Sequence, residues 1–123
     1  MNWGKLDGVE EENHLLYLVL MWVIAPYDNR PIDHHLKIIF GPQAGFGGDP
    51  GWEVERIFEA PAREFFRVWA DSNISGIDEE EEVYDQATFF QAVKDTLLAY
   101  STAHPHRATE AANILKTLEK IRA

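Results

Sequence analysis

Residues 15–24 read Leu-Leu-Tyr-Leu-Val-Leu-Met-Trp-Val-Ile, ten consecutive apolar positions with no polar face. A segment like this has nothing to offer water, so the rest of the chain must pack around it. Glu10, Glu11 and Glu12 stand before it, where acidic side chains complement the dipole of a helix start, and Pro26 closes it. The pattern predicts a helix over 9–25. Tyr17, Val19, Trp22, Val23 and Ile24 suit a buried strand equally, and a continuous run carries no periodicity that separates the two. A membrane span is not expected, because spanning takes about 20 apolar residues and both flanks here are charged. The acidic lead-in also fits a signal peptide poorly. Residues 1–7 are expected to be a loosely held lead-in.

Beyond residues 27–31, a turn by composition, residues 32–40 alternate Leu36, Ile38 and Phe40 with other positions and read as a strand. Residues 41–51 hold so many Gly and Pro that a loop is expected throughout. Two runs follow, 52–58 and 64–70. As strands they place Trp52, Val54 and Phe58 on one face and Phe66, Val68 and Ala70 on the other strand's matching face, joined by a five-residue loop. As one helix, capped by Asp49, they would align Val54, Phe58, Phe65 and Trp69, but Pro61 would then fall mid-helix at a cost of about 3 kcal/mol. The hairpin is preferred. Asp85 is placed to cap a helix in which Phe89, Phe90, Val93, Leu97 and Tyr100 recur at helical spacing. After His104-Pro105-His106, Ala111, Ile114, Leu115, Leu118 and Ile121 define a second helix. The expected fold is α+β: a buried N-terminal helix, short antiparallel strands in the middle, and a C-terminal two-helix hairpin whose apolar seams face residues 15–24. The alternative is all-α with five helices.

With 123 residues, 46% of them hydrophobic, the chain suits a single domain over 1–123 with a real core. It contains no Cys, which excludes disulfides and thiolate chemistry and favours an intracellular setting. The formal net charge is −10, concentrated in residues 1–95 with 19 acidic and 7 basic side chains, against 2 and 4 in residues 96–123. Such a chain is not expected to bind nucleic acid, whose phosphates draw affinity from Lys and Arg.

No motif points to catalysis. His34 and His35 would lie on opposite faces of a strand, His104 and His106 flank a proline, and no paired metal-binding spacing exists, so neither metal nor cofactor is expected. The glycines of 41–51 lack a phosphate-loop spacing and are followed by Glu53 and Glu55. Ser72, Ser75 and Ser101 sit in no nucleophile elbow, and the adjacent carboxylates of 78–82 repel one another instead of forming an acid–base pair. The expectation is a binding protein and not an enzyme.

The acidic run Asp78, Glu79, Glu80, Glu81, Glu82, continued by Tyr84 and Asp85, is the candidate partner-binding site, with Phe46 and Trp52 as aromatic contacts that would supply a packed centre. The bland alternative is a solvated flank of a helix start. Residues 81–100, an acidic run leading into an amphipathic helix within a small acidic module, resemble the immunity proteins of bacterial contact-dependent growth inhibition and related toxin systems. The resemblance brings no family residue with it. It implies a role: a cytoplasmic protein that neutralises a cognate toxin, commonly a basic nuclease, by covering its active site. Two other readings are a small-molecule or effector-binding regulatory module with residues 41–51 as lid, and a minor hydrolytic enzyme using His34 or His35.

Overall fold

The computed structural model describes residues 3, 5–6, 8–24, 45–48, 51–60, 63–77 and 79–122; the side chains of 45–48, 58–60, 63 and 121–122 lie outside that description. The strand expected over 32–40, the stop at Pro26 and the pair His34 and His35 fall outside the described residues. The architecture is α+β.

Residues 15–24 are helical. Helix α1 spans His14–Ile24, entered through a 3-10 turn at Glu11–Asn13, so it starts later than the acidic residues alone suggest. Leu15, Leu16, Tyr17, Val19, Leu20, Met21, Val23 and Ile24 are buried, while Leu18 and Trp22, four apart, share the one half-buried stripe. A helix satisfies its backbone internally and can be enclosed on nearly all sides, whereas a strand here would need hydrogen-bonding neighbours at its edges.

Four strands among the described residues form one antiparallel sheet in sequence order: β1 (Gly45–Gly48), β2 (Trp52–Ala60), β3 (Arg63–Ala70) and β4 (Glu81–Asp85). The sheet excludes the five-helix alternative. β1 corrects the reading of 41–51 as loop throughout, because Gly45 to Gly48 pair with Glu55 to Trp52 across a tight hairpin. Glycine weakens a strand through its backbone entropy, and pairing to a well-formed neighbour offsets this. Gly51, at φ +133°, sits where the chain turns, a conformation that L side chains rarely adopt.

β2 and β3 form the expected hairpin with the expected faces. Trp52 lies opposite Ala70, Val54 opposite Val68 and Arg56 opposite Phe66; Trp52, Val54, Phe66, Val68 and Ala70 are all buried. The pairing runs further into the connection than sequence suggests, to Ala60 and Arg63, with an irregularity between Phe58 and Ala60. Arg56, the charged member of the inner row, stands 3.8 Å from Glu64, which also accepts from Gln86 at 3.4 Å.

After β3 comes one helical turn, α2 (Ser72–Ser75), capped by the Asp71 carboxylate on the Asn73 N–H at 2.9 Å and closed by Gly76 in the left-handed region at φ 73°. α3 (Gln86–Ala103) and α4 (Ala108–Arg122) form the expected C-terminal hairpin. Asp85 caps α3, its side chain accepting from Thr88 N–H at 2.8 Å. α3 presses Phe89, Phe90, Val93, Leu97 and Tyr100 into the core, the Phe89 ring stacked on Phe66 of β3 with centroids 3.9 Å apart. Thr96 is buried and satisfied, donating to the Ala92 carbonyl at 2.7 Å.

α3 lies between α1 and α4, and α4 packs on α3 and not, to any comparable extent, on α1. Only the first half of the expected hairpin therefore faces residues 15–24. The N-terminal lead-in is also better anchored than its composition suggests: the Trp3 ring meets Tyr100 edge-on at 4.9 Å, beside His104.

Candidate interaction surface

Strand alternation sorts the sheet into two faces. Trp52, Val54, Phe66, Val68, Ala70 and Tyr84 point to the helices, so Glu53, Glu55, Phe65, Arg67, Trp69, Glu81 and Val83 share the outer face. There Arg67 stands opposite Glu55 on β2 and Val83 on β4. Its guanidinium donates to Glu81 at 2.8 Å, to Glu55 at 3.5 Å and to Glu53, linking three strands through one side chain. The hydrogen bonds to Glu81 and Glu53 hold its pKa up against the lowering effect of burial.

The acidic run is not one uniform solvated flank. Its last members form β4, an edge strand of the sheet among the described residues, which the sequence did not signal because Glu has little strand preference and β4 depends on pairing with β3. Glu80 is tied inward: its carbonyl accepts from Ala70 N–H at 2.9 Å and its carboxylate from Ser72 N–H at 2.9 Å. Glu81 belongs to the Arg67 cluster, and Asp85 is committed to Thr88, whose backbone N–H holds its carboxyl below the usual Asp value. Glu79 and Glu82 are exposed and meet no hydrogen-bond donor or cation among the described residues. Asp78 lies outside the described residues.

These two carboxylates face Glu11 and Glu12 across a groove of about 370 Å³ floored by Leu15 and Ile77. Its negative field reaches Tyr84. Burial pushes the Tyr84 phenol up to about 12, with Glu82, Glu12 and Glu79 adding to the rise, and its hydroxyl donates to the Glu12 carbonyl at 3.2 Å. Glu12 itself is raised by its hydrogen bond with Glu10 and by repulsion from it.

The expected aromatic contacts need correction. Trp52 is 2% exposed and forms part of the core, and Tyr84 is 7% exposed with its ring under the sheet, so neither offers a partner a surface. Trp52 shares a face with Val54 on its own strand, whereas Tyr84 turns inward because it pairs opposite Phe66 of β3. The backbone of Phe46 pairs with Val54; its side chain is outside the described residues. The half-buried Phe65 and Trp69 and the 52%-exposed Val83 instead stand on the outer face. Arg67, Glu53 and Glu55 were missed as well. Their signal was present in the alternation that assigns Trp52, Val54, Phe66 and Val68 to the core, since it sends their sequence neighbours outward.

Comparison with known proteins adds nothing to this geometry. No family model, no curated protein and no solved structure matches the chain.

No group of three or more His, Asp or Glu side chains among the described residues is arranged to hold a metal ion. His104 stacks on Tyr100 with centroids 4.2 Å apart and donates from Nδ1 to its carbonyl at 3.1 Å, 6.1 Å from the His106 ring. The Tyr17 hydroxyl donates to one carboxylate oxygen of Asp95 at 2.7 Å, and the Gln91 amide Nε2 donates to the other at 2.9 Å, so that pair is occupied in joining α1 to α3. No described helix is long and apolar enough to cross a membrane.

Proposed function

We propose that this chain is a small acidic binding protein that neutralises a cognate basic toxin, of nuclease type, by protein–protein association over the toxin's active site in the cytoplasm. The observation that supports the reading is the edge of the sheet. β4 carries exposed carboxylates on both of its faces, and Glu79 and Glu82 meet no cation among the described residues. A nuclease must present cations to phosphate, and carboxylates held on a rigid strand meet that surface with complementary potential. The field steers the encounter, and the residence of the complex depends on apolar contacts such as Val83 beside it.

Glu79 and Glu82 are the residues to change, because Glu80 and Glu81 also hold the fold together. The tagged protein is used to retrieve its partner from the native host, and association is followed by stopped flow from low to high salt. E79K/E82K is expected to slow association at least tenfold at low salt and to flatten the salt dependence. Association of the variant at the unchanged rate, or retrieval of acidic proteins alone, overturns the proposal.

A further inference from the structure

Among the described residues the outer edge of β4 is unpaired, in a way that names its occupant. The hydrogen bond from Ala70 N–H to the Glu80 carbonyl makes 70 and 80 a hydrogen-bonded pair. In an antiparallel ladder such pairs alternate, and the register places Val68 opposite Glu82 and Phe66 opposite Tyr84. Glu80, Glu82 and Tyr84 therefore direct their backbone groups to β3. Glu81 and Val83 direct theirs away from the sheet, where the strand order ends. Val83, which bears two of these outward groups, is 52% exposed.

Charge settles what can pair there. Alternation places Glu81 on one side of the strand and Glu80 and Glu82 on the other, so an added strand meets carboxylates on both faces. A second copy of this chain, paired edge to edge, would set Glu against Glu, which is destabilising and is a common guard against self-pairing. An extended segment with Lys or Arg at alternating positions meets both the free backbone groups and the flanking carboxylates.

We infer that the partner of this protein inserts a basic extended segment as a fifth strand alongside β4, hydrogen-bonded to the backbone of Glu81 and Val83. The inference rests on the binding role proposed above and specifies its mode. Backbone pairing supplies register, and the carboxylates select a cationic strand over other extended chains.

The register also supplies the test. The Val83 N–H makes no bond to β3, so V83P removes an outward donor while leaving the internal ladder intact, the situation in which an edge strand accepts proline. The probe is an acetylated, amidated Lys-Val-Lys-Val-Lys peptide, compared with the same peptide N-methylated at its valines. Amide exchange is followed by NMR. In the free protein the Glu81 and Val83 amides are expected to exchange faster than those of Glu82 and Tyr84. The parent peptide is expected to slow Glu81 and Val83 exchange at least tenfold, and both N-methylation and V83P to weaken binding at least tenfold. Equal binding of both peptides, or peptide-induced shifts spread over the carboxylates without slowing at these two amides, overturns the inference. The N-methylated control uses the unaltered protein and holds if V83P fails to fold. Retrieval of a basic partner that V83P leaves unchanged but E79K/E82K abolishes would overturn strand addition and leave the binding role standing. Peptide pairing at β4 by a protein that retrieves only acidic partners would do the reverse.

Discussion

Arg67 shows how one side chain sets the character of a whole face. It is four-fifths buried and holds three carboxylates from the two neighbouring strands, so its removal costs more than a single surface pair would. R67A is expected to lose about 1 to 2 kcal/mol in urea melts, and R67K to recover only part of this because an ammonium lacks the planar fork. Asp85 acts through the backbone. D85A removes the cap of α3 and is expected to cost about 1 kcal/mol at neutral pH. Because the folded state lowers the Asp85 pKa, the cap contributes fully above the unfolded value and is lost as the pH falls through the folded one. The gap between wild type and D85A should therefore close below about pH 4. Tyr84 has the opposite sign. Its phenol is raised to about 12, so its contribution is intact below the usual value of about 10 and is lost as the pH rises toward 12. Y84F is expected to make the alkaline decline in stability shallower over that window, leaving the part due to Tyr17, which is raised further still.

At the scale of elements, burial ranks the two C-terminal helices. Leu97 of α3 is fully buried in the helix that lies between α1, β3 and α4, whereas Leu118 of α4 is 8% exposed in a helix that packs on α3. L97A is expected to cost about 3 to 5 kcal/mol and L118A about 2 to 3, read from chemical denaturation, because a site enclosed on several sides relaxes less around the cavity. Equal losses would place α4 deeper in the core than this arrangement allows. β4 is the contrasting case. It has five residues, one of them buried, and its side chains alone do not favour a strand. The β3 ladder, the Arg67 link to Glu81 and the Ser72 bond to Glu80 hold it where an acidic segment would otherwise stay in water.

On the scale of the molecule, the net charge of −10 weighs against the compact state. Glu79 and Glu82 sit across the groove from Glu11 and Glu12, four like charges around an apolar floor. E79Q/E82Q is expected to raise the thermal midpoint by a few degrees at low salt, with the gain vanishing by about 0.5 M salt as screening shortens the repulsion. A gain from residues on the proposed binding edge would mean that they are retained at a cost in stability. Local chemistry determined much of what the sequence announces. The α3 seam, the Asp85 cap, the faces of the β2–β3 hairpin and the acidity of 79–82 all follow from spacing and side-chain type within a few residues. Only the tertiary structure decided that residues 15–24 are helix, that 45–48 and 81–85 are strands, that Tyr84 turns inward, and which carboxylates are already taken. A strand is held by hydrogen bonds to residues distant in sequence, and a carboxylate is free or occupied according to which cation the fold brings beside it; neither is encoded in the segment itself.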